Sequence, residues 1–167
     1  MVISGKMKNM KLLFKGKTVV LLITIVLMVF AFNNCKKDDV DQSLVDDEII
    51  QEYLEKNNIE ATKDSTGIYY IITAEGFGVH PTVYSTIEVN YKGYLTNDTI
   101  FDDTEGVPVT FNLSTLIKGW QIGIPMLKEG GKGTFFIPSK LGYGGRETYN
   151  IPANSVLIFE IHLLDVL

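Results

Sequence analysis

Leu116-Ile117-Lys118-Gly119-Trp120 holds the only tryptophan of the chain, and the sequence beyond residue 65 reads as walls around it. A glycine stands directly before the indole, where it permits a sharp backbone turn. The run Trp120-Gln121-Ile122-Gly123-Ile124 then predicts a short helix, limited by Pro125, which cannot donate to the helix ladder. A large flat indole at the start of such a helix suits the floor of an apolar cavity. A tryptophan that only packs in a core reads the same way, so its neighbours must separate the two.

Outward from this point the hydrophobic period is two. Ile68, Tyr70 and Ile72 alternate with Tyr69 and Ile71 in a run that is apolar on both faces. Gly76-Phe77-Gly78 and His80-Pro81 mark loops. In residues 88–95, EVNYKGYL, Val89, Tyr91, Gly93 and Leu95 share one face, and Glu88, Asn90, Lys92 and Tyr94 share the other. Thr96-Asn97-Asp98-Thr99 is a turn, Ile100-Phe101-Asp102-Asp103 resumes the chain, and residues 107–113 form a further strand with proline at its edge. After the tryptophan come a glycine-rich turn at 128–133, a strand at 134–137 and a long loop at 141–152 carrying Tyr143. Residues 155–166 close the chain with Leu157, Phe159, Ile161 and Leu163 facing one way. No segment is long enough for a series of crossover helices. The expected fold is α+β, an antiparallel β-sheet wrapped around one short α-helix.

Charge is distributed unevenly along the 167 residues. Residues 1–35 carry five lysines and no acid, whereas the remainder holds 10 basic and 20 acidic side chains. An acidic body argues against nucleic-acid binding, which needs clustered Lys and Arg. The basic start followed by the apolar run 18–32 predicts a secretory signal over residues 1–34. Those 15 residues would span roughly 22 Å as a helix, short of the roughly 30 Å hydrocarbon core. Cys35 ends the run and is the only cysteine, which excludes an intramolecular disulfide. Its position resembles the lipid-modified cysteine of bacterial lipoproteins, and an unpaired thiol in an uncleaved leader is the alternative. The resemblance implies a cell-envelope protein, lipid-anchored in the outer membrane on its periplasmic side or at the cell surface. Residues 35–47 then read as a lipidated cysteine with an acidic, solvated linker. Residues 48–65 read as an amphipathic helix and connector, with Asp46-Asp47-Glu48 at the helix start and Ile49, Ile50, Tyr53 and Leu54 as its apolar stripe. Such a short helix docks on the body or makes a weak contact between subunits, so a monomer or weak dimer is expected.

Five ordered motifs resemble FKBP-type peptidyl-prolyl isomerases: VNYKGYL (89–95), IFDDT (100–104), LIKGWQIGI (116–124), LGYGG (141–145) and IPANSVLIFEIHLLDV (151–166). The resemblance covers about 100 residues, and it assigns the domain to 66–167. It implies a substrate pocket of Phe101, Leu116, Ile117, Trp120, Ile151 and Phe159, with Tyr91, Asp102 and Tyr143 as the polar catalytic groups. It further implies that Asp102 accepts from the Tyr91 hydroxyl, and that the Ile117 N–H and Tyr143 hydroxyl hold substrate carbonyls. Strand alternation independently points Tyr91 and Phe159 inward. Phe101, Ile151 and Phe159 also read as ordinary core, Asp102 beside Asp103 as a turn-capping pair, and Tyr143 between glycines as a surface aromatic. The departures from the family are Val109 at a position often aromatic, Thr115 where the human prototype has an acid that contacts macrolides, and a shorter 144–150 loop without the prototype's histidine.

The implied activity is cis-trans isomerisation of Xaa-Pro bonds in exported, proline-containing polypeptides, with no cofactor or metal. Rapamycin and tacrolimus are implied ligands of the same pocket. Two histidines and one cysteine cannot supply a zinc centre, and no motif of a serine hydrolase is present. The alternative is a lipid-anchored chaperone module that grips proline-containing chains with little or no turnover.

Overall fold

The structure, a computed structural model, describes residues 41–148 and 150–167. The expected leader, Cys35 and the first part of the acidic linker lie outside the described residues. Two α-helices and seven strands follow in the order α1 (Gln42–Lys56), β1 (Thr62–Lys63), β2 (Tyr69–Ala74), β3 (Thr86–Leu95), β4 (Ile100–Asp103), β5 (Val109–Asn112), α2 (Lys118–Gly123), β6 (Lys132–Ile137) and β7 (Leu157–Val166). Every strand pairing is antiparallel, in the order β1-β2-β6-β7-β3-β4, with β5 joined to β3. The spine is the pairing of β3 with β7, which runs from Ile87↔Val166 to Leu95↔Leu157 with one bulge at Glu88/Val89.

Alternation divides this sheet into two apolar faces. Val89, Leu95, Phe135, Ile137, Leu157, Phe159, Ile161 and Leu163 form the core under α2. The opposite face presents Tyr69, Phe136 and Ile158, which pack with Ile50 and Leu54 of α1. Coverage on both sides explains why the β2 run is apolar at consecutive positions. Tyr70 and Ile72 meet the α2 side, while Tyr69 and Ile71 meet the α1 side.

Gly119 differs from its expected role. It lies inside α2 rather than at a turn, and what its position requires is space. A Cβ there would sit 2.4 Å from Ile137 Cγ2, so the bare backbone lets α2 settle directly on β6. The helix continues through Ile124–Met126 as a 3₁₀ turn that accommodates Pro125.

The N-terminal helix is the larger correction. It starts at Gln42, six residues before the expected start at 48, and residues 42–47 are helical rather than a solvated linker. Asp41 caps it, accepting from Ser43 N at 3.0 Å and Ser43 Oγ at 2.8 Å. The acids expected at its start lie in its interior; Glu48 is exposed, whereas Asp46 and Asp47 have tertiary partners. Asp47 pairs with Lys63 and accepts from the Tyr69 hydroxyl at 2.9 Å, which holds its carboxyl below the usual range. Asp46 is wholly buried and bonded to Ser139. Polar composition suggested solvent exposure because it cannot show that each polar group is matched across the fold.

Ile50 is fully buried between α1 and the sheet. Ile50→Ala should lower unfolding free energy by about 2–5 kcal/mol, read from the denaturant midpoint. An unchanged midpoint would show that α1 is dispensable to the domain.

Candidate active site

Trp120 sits in the first turn of α2, its N–H donating to the Ile117 carbonyl at 3.0 Å. The indole is 4% exposed and stands edge-on to three rings. Tyr91 lies at 5.0 Å and 88°, Phe159 at 5.3 Å and 85°, and Phe111 at 6.2 Å and 81°. These distances and near-perpendicular planes are favourable edge-to-face geometry. Phe101 extends the wall, meeting Phe159 at 5.5 Å and 82°. Gly93 makes that contact possible, because a Cβ there would come within 2.6 Å of Phe101 and 2.8 Å of Phe159.

Together these rings line a cavity of about 210 Å³ with Asp102, Leu116, Ile117 and Tyr143. Eight of the nine residues expected from the sequence therefore meet in one place. The ninth, Ile151, is buried in the same core but does not line the cavity. Its backbone pairs with Thr148, Ile151 N donating at 3.1 Å and Thr148 N donating back at 2.9 Å. Phe111 is the wall residue that the sequence reading missed. The aromatic sought at Val109 is supplied two residues later on the same strand face, and the period of two could have located it.

Polar groups converge on the rim. The Tyr91 hydroxyl donates to Asp102 at 2.6 Å. Thr104 clamps β4 to β3 around this bond, accepting from Tyr91 N at 3.1 Å while its own N–H donates to the Tyr91 carbonyl at 3.1 Å. Gln121 braces the turn before α2, donating to the Leu116 carbonyl at 2.7 Å and the Ser114 carbonyl at 3.1 Å. Neither Thr104 nor Gln121 was singled out in the sequence, since nothing in their spacing signals bracing. Burial raises the phenol of Tyr91, and the hydrogen bond to Asp102 and its charge raise it further. Burial and the Asp102 charge also push Tyr143 up, so both phenols are neutral near pH 7. The indole Nε1 is buried without a hydrogen-bond partner. No group of three His, Cys, Asp or Glu among the described residues is placed to hold a metal. His80 lies with Nδ1 2.9 Å from the Leu127 carbonyl, and burial and Lys132 lower the pKa of His162 on the other side of the sheet.

This arrangement can hold a compact apolar ring on an aromatic floor and meet adjacent carbonyls at a polar rim. Residues 78–164 match the model of the FKBP-type peptidyl-prolyl cis-trans isomerase family. The chain belongs to this family. It is 46% identical over 108 residues to FkpA of Buchnera aphidicola from Schizaphis graminum, covering 63% of this chain and 43% of that protein. Against FkpA of Escherichia coli K12 it is 36% identical over 133 residues, covering 78% of this chain and 48% of that protein. The chain thus spans less than half the length of these relatives. The crystal structure of E. coli FkpA superposes with a TM-score of 0.66 at 34% identity, covering 90% of this chain and 70% of that one. A peptidyl-prolyl cis-trans isomerase of Pseudomonas syringae superposes with a TM-score of 0.64 at 26% identity, covering 74% and 95%. The FKBP-type domain thus carries the aromatic cavity, and α1 precedes the 78–164 match.

The raised phenol of Tyr91 has a consequence for stability. The folded state holds this proton more tightly than the unfolded chain, so the contribution is complete below the unfolded value of about 10 and declines as pH rises above it. Unfolding free energy should therefore fall above pH ~10, and Asp102→Asn should flatten that fall by removing the charged acceptor. An alkaline denaturation profile of the same slope for both proteins would contradict the coupling.

Proposed function

We propose that this FKBP-type domain is a peptidyl-prolyl cis-trans isomerase acting on Xaa-Pro bonds of exported polypeptides. The observation that carries this reading is the indole floor of Trp120, walled by Tyr91, Phe111, Phe101 and Phe159. An Xaa-Pro amide resists rotation because resonance imposes a barrier of about 18–20 kcal/mol. Twisting the bond removes that resonance and lowers the polarity of the C–N linkage. A dry aromatic box favours the twisted form over the planar one, and each ~1.4 kcal/mol of preference gives about tenfold in rate.

In this reading the prolyl ring rests on Trp120 between Tyr91, Phe101 and Phe159. The Ile117 N–H precedes α2, and no acceptor among the described residues takes it, so it is free to hold one substrate carbonyl. The Tyr143 hydroxyl holds another. Asp102 fixes the orientation of Tyr91 and keeps the rim polarised. No nucleophile is consumed and no bond of the substrate breaks.

Rapamycin and tacrolimus would enter the same box by placing an apolar ring over Trp120. Thr115, whose hydroxyl is turned back to the Asn112 carbonyl at 2.8 Å, offers them no acid, so binding weaker than in the human prototype is expected. We also propose that Cys35 is acylated and anchors the protein in the cell envelope. Its place after an apolar run supports this. One acyl chain binds marginally, so firm anchoring needs more than one. Labelled-palmitate incorporation should be lost in Cys35→Ala, and equal labelling of that variant would remove the anchor.

Asp102→Val and Tyr143→Phe remove polar function while keeping bulk. Each should slow isomerisation of a Leu-Pro peptide by roughly two- to tenfold, the worth of about one hydrogen bond, with little change in peptide affinity. Exchange NMR reads rate and affinity together. Wild-type protein that binds the peptide without accelerating exchange would leave the chaperone alternative in its place.

A further inference from the structure

Among the described residues, two side chains that are not apolar are buried throughout: Asp46 of α1 and Ser139, which opens the 3₁₀ turn Ser139–Leu141 after β6. They are bonded to each other across 93 residues of chain. Asp46 Oδ2 accepts from Ser139 N at 2.8 Å and from Ser139 Oγ at 2.7 Å, and its Oδ1 accepts from Gln42 Nε2 at 2.8 Å. A buried carboxylate is a costly way to attach a helix, and an apolar contact of similar volume does so at least as well. A carboxylate brings direction instead, because it must be met by donors at fixed positions.

What it directs follows from the next bonds. The Ser139 carbonyl accepts from Gly142 N at 2.9 Å and from Gly144 N at 2.8 Å, the residues on either side of Tyr143. Gly144 is secured in turn by Asn154 N, which donates to its carbonyl at 2.8 Å. Asp46 thus holds both donors of Ser139, and Ser139 holds both flanks of Tyr143. Tyr143 itself borders the cavity beside Asp102 and Trp120. We propose that Asp46 is a positioning residue for Tyr143, so that α1, which lies outside the residues matching the family model, sets the active-site rim from the opposite face of the sheet. The inference rests on the isomerase reading for its kinetic readout.

The test uses the full chain and a double-mutant cycle. Asp46→Ala and Ser139→Ala are each measured alone and in a Tyr143→Phe background, by exchange NMR on a Leu-Pro peptide. Each substitution should slow bound-state exchange by roughly two- to fivefold, no more than Tyr143→Phe itself, with peptide affinity changed less. In the Tyr143→Phe background the further loss should nearly vanish. Asp46→Asn, which keeps an acceptor for Ser139, should regain most of the rate. Equal losses in both backgrounds, or full rates in folded Asp46→Ala and Ser139→Ala, would overturn the proposal. Should Asp46→Ala fail to fold, Ser139→Ala alone and in the Tyr143→Phe background decides it. If the wild type binds without turnover, the isomerase reading fails separately, and the fluorotyrosine resonance of Tyr143 then decides whether the link exists. A resonance shifted or broadened in Ser139→Ala supports the link, and one unchanged there overturns it.

Discussion

The structure depends on one wedge, the Trp120 indole held upright between α2 and the sheet. Its edge contacts with Tyr91, Phe159 and Phe111 require α2 to approach the strands closely, and a glycine on each side of the gap permits this. Gly119 removes the side chain that would strike Ile137, and Gly93 removes the one that would strike Phe101 and Phe159. Adding a methyl at either position would force displacement of buried rings, which costs about 1–3 kcal/mol in a packed core. The cavity exists because these aromatic rings meet at edges and leave the space between them unfilled.

The second organising feature is that both faces of the sheet are covered. The α2 face carries the cavity, and the α1 face carries a smaller cluster around Ile50, Leu54, Phe136 and Ile158. Strands β6 and β7 serve both at once, Phe135 and Phe159 facing the cavity side while Phe136 and Ile158 face α1. Packing on one face therefore constrains the backbone that positions residues on the other. The Asp46–Ser139 bond adds a polar fix to that shared backbone, at the point where β6 gives way to the loop of Tyr143.

Most of this was legible in the sequence where period and chemistry coincide. The alternation of EVNYKGYL and of residues 157–163 gave the correct inward faces for Tyr91 and Phe159. The stripe of Ile49, Ile50, Tyr53 and Leu54 correctly marked a docking surface. Legibility failed where a residue's role depends on a distant partner. Asp46 and Asp47 look like solvated acids until Ser139 and Lys63 stand beside them. Gly119 looks like a turn residue until β6 is packed against it. Ile151 looks like a pocket residue, but it is buried in the adjoining core and does not line the cavity. Phe111 escapes the sequence for a different reason: Val109 reads as the loss of an aromatic often present in the family, and only the folded strand shows Phe111 supplying a ring from the same face.

In the proposed mechanism a dry aromatic box lowers the rotational barrier without moving a proton. Bond rotation of this kind involves no transfer from Tyr91, Asp102 or Tyr143 in the transition state. The most direct measurement is the catalysed cis-trans exchange rate of a Leu-Pro peptide in ordinary and in heavy water, at matched peptide saturation. Barrier lowering by the box and its hydrogen-bonding rim, with no proton transferred, predicts clear acceleration over the free peptide and nearly equal rates in the two solvents. A rate that falls several-fold in heavy water, or no acceleration in either, would contradict it.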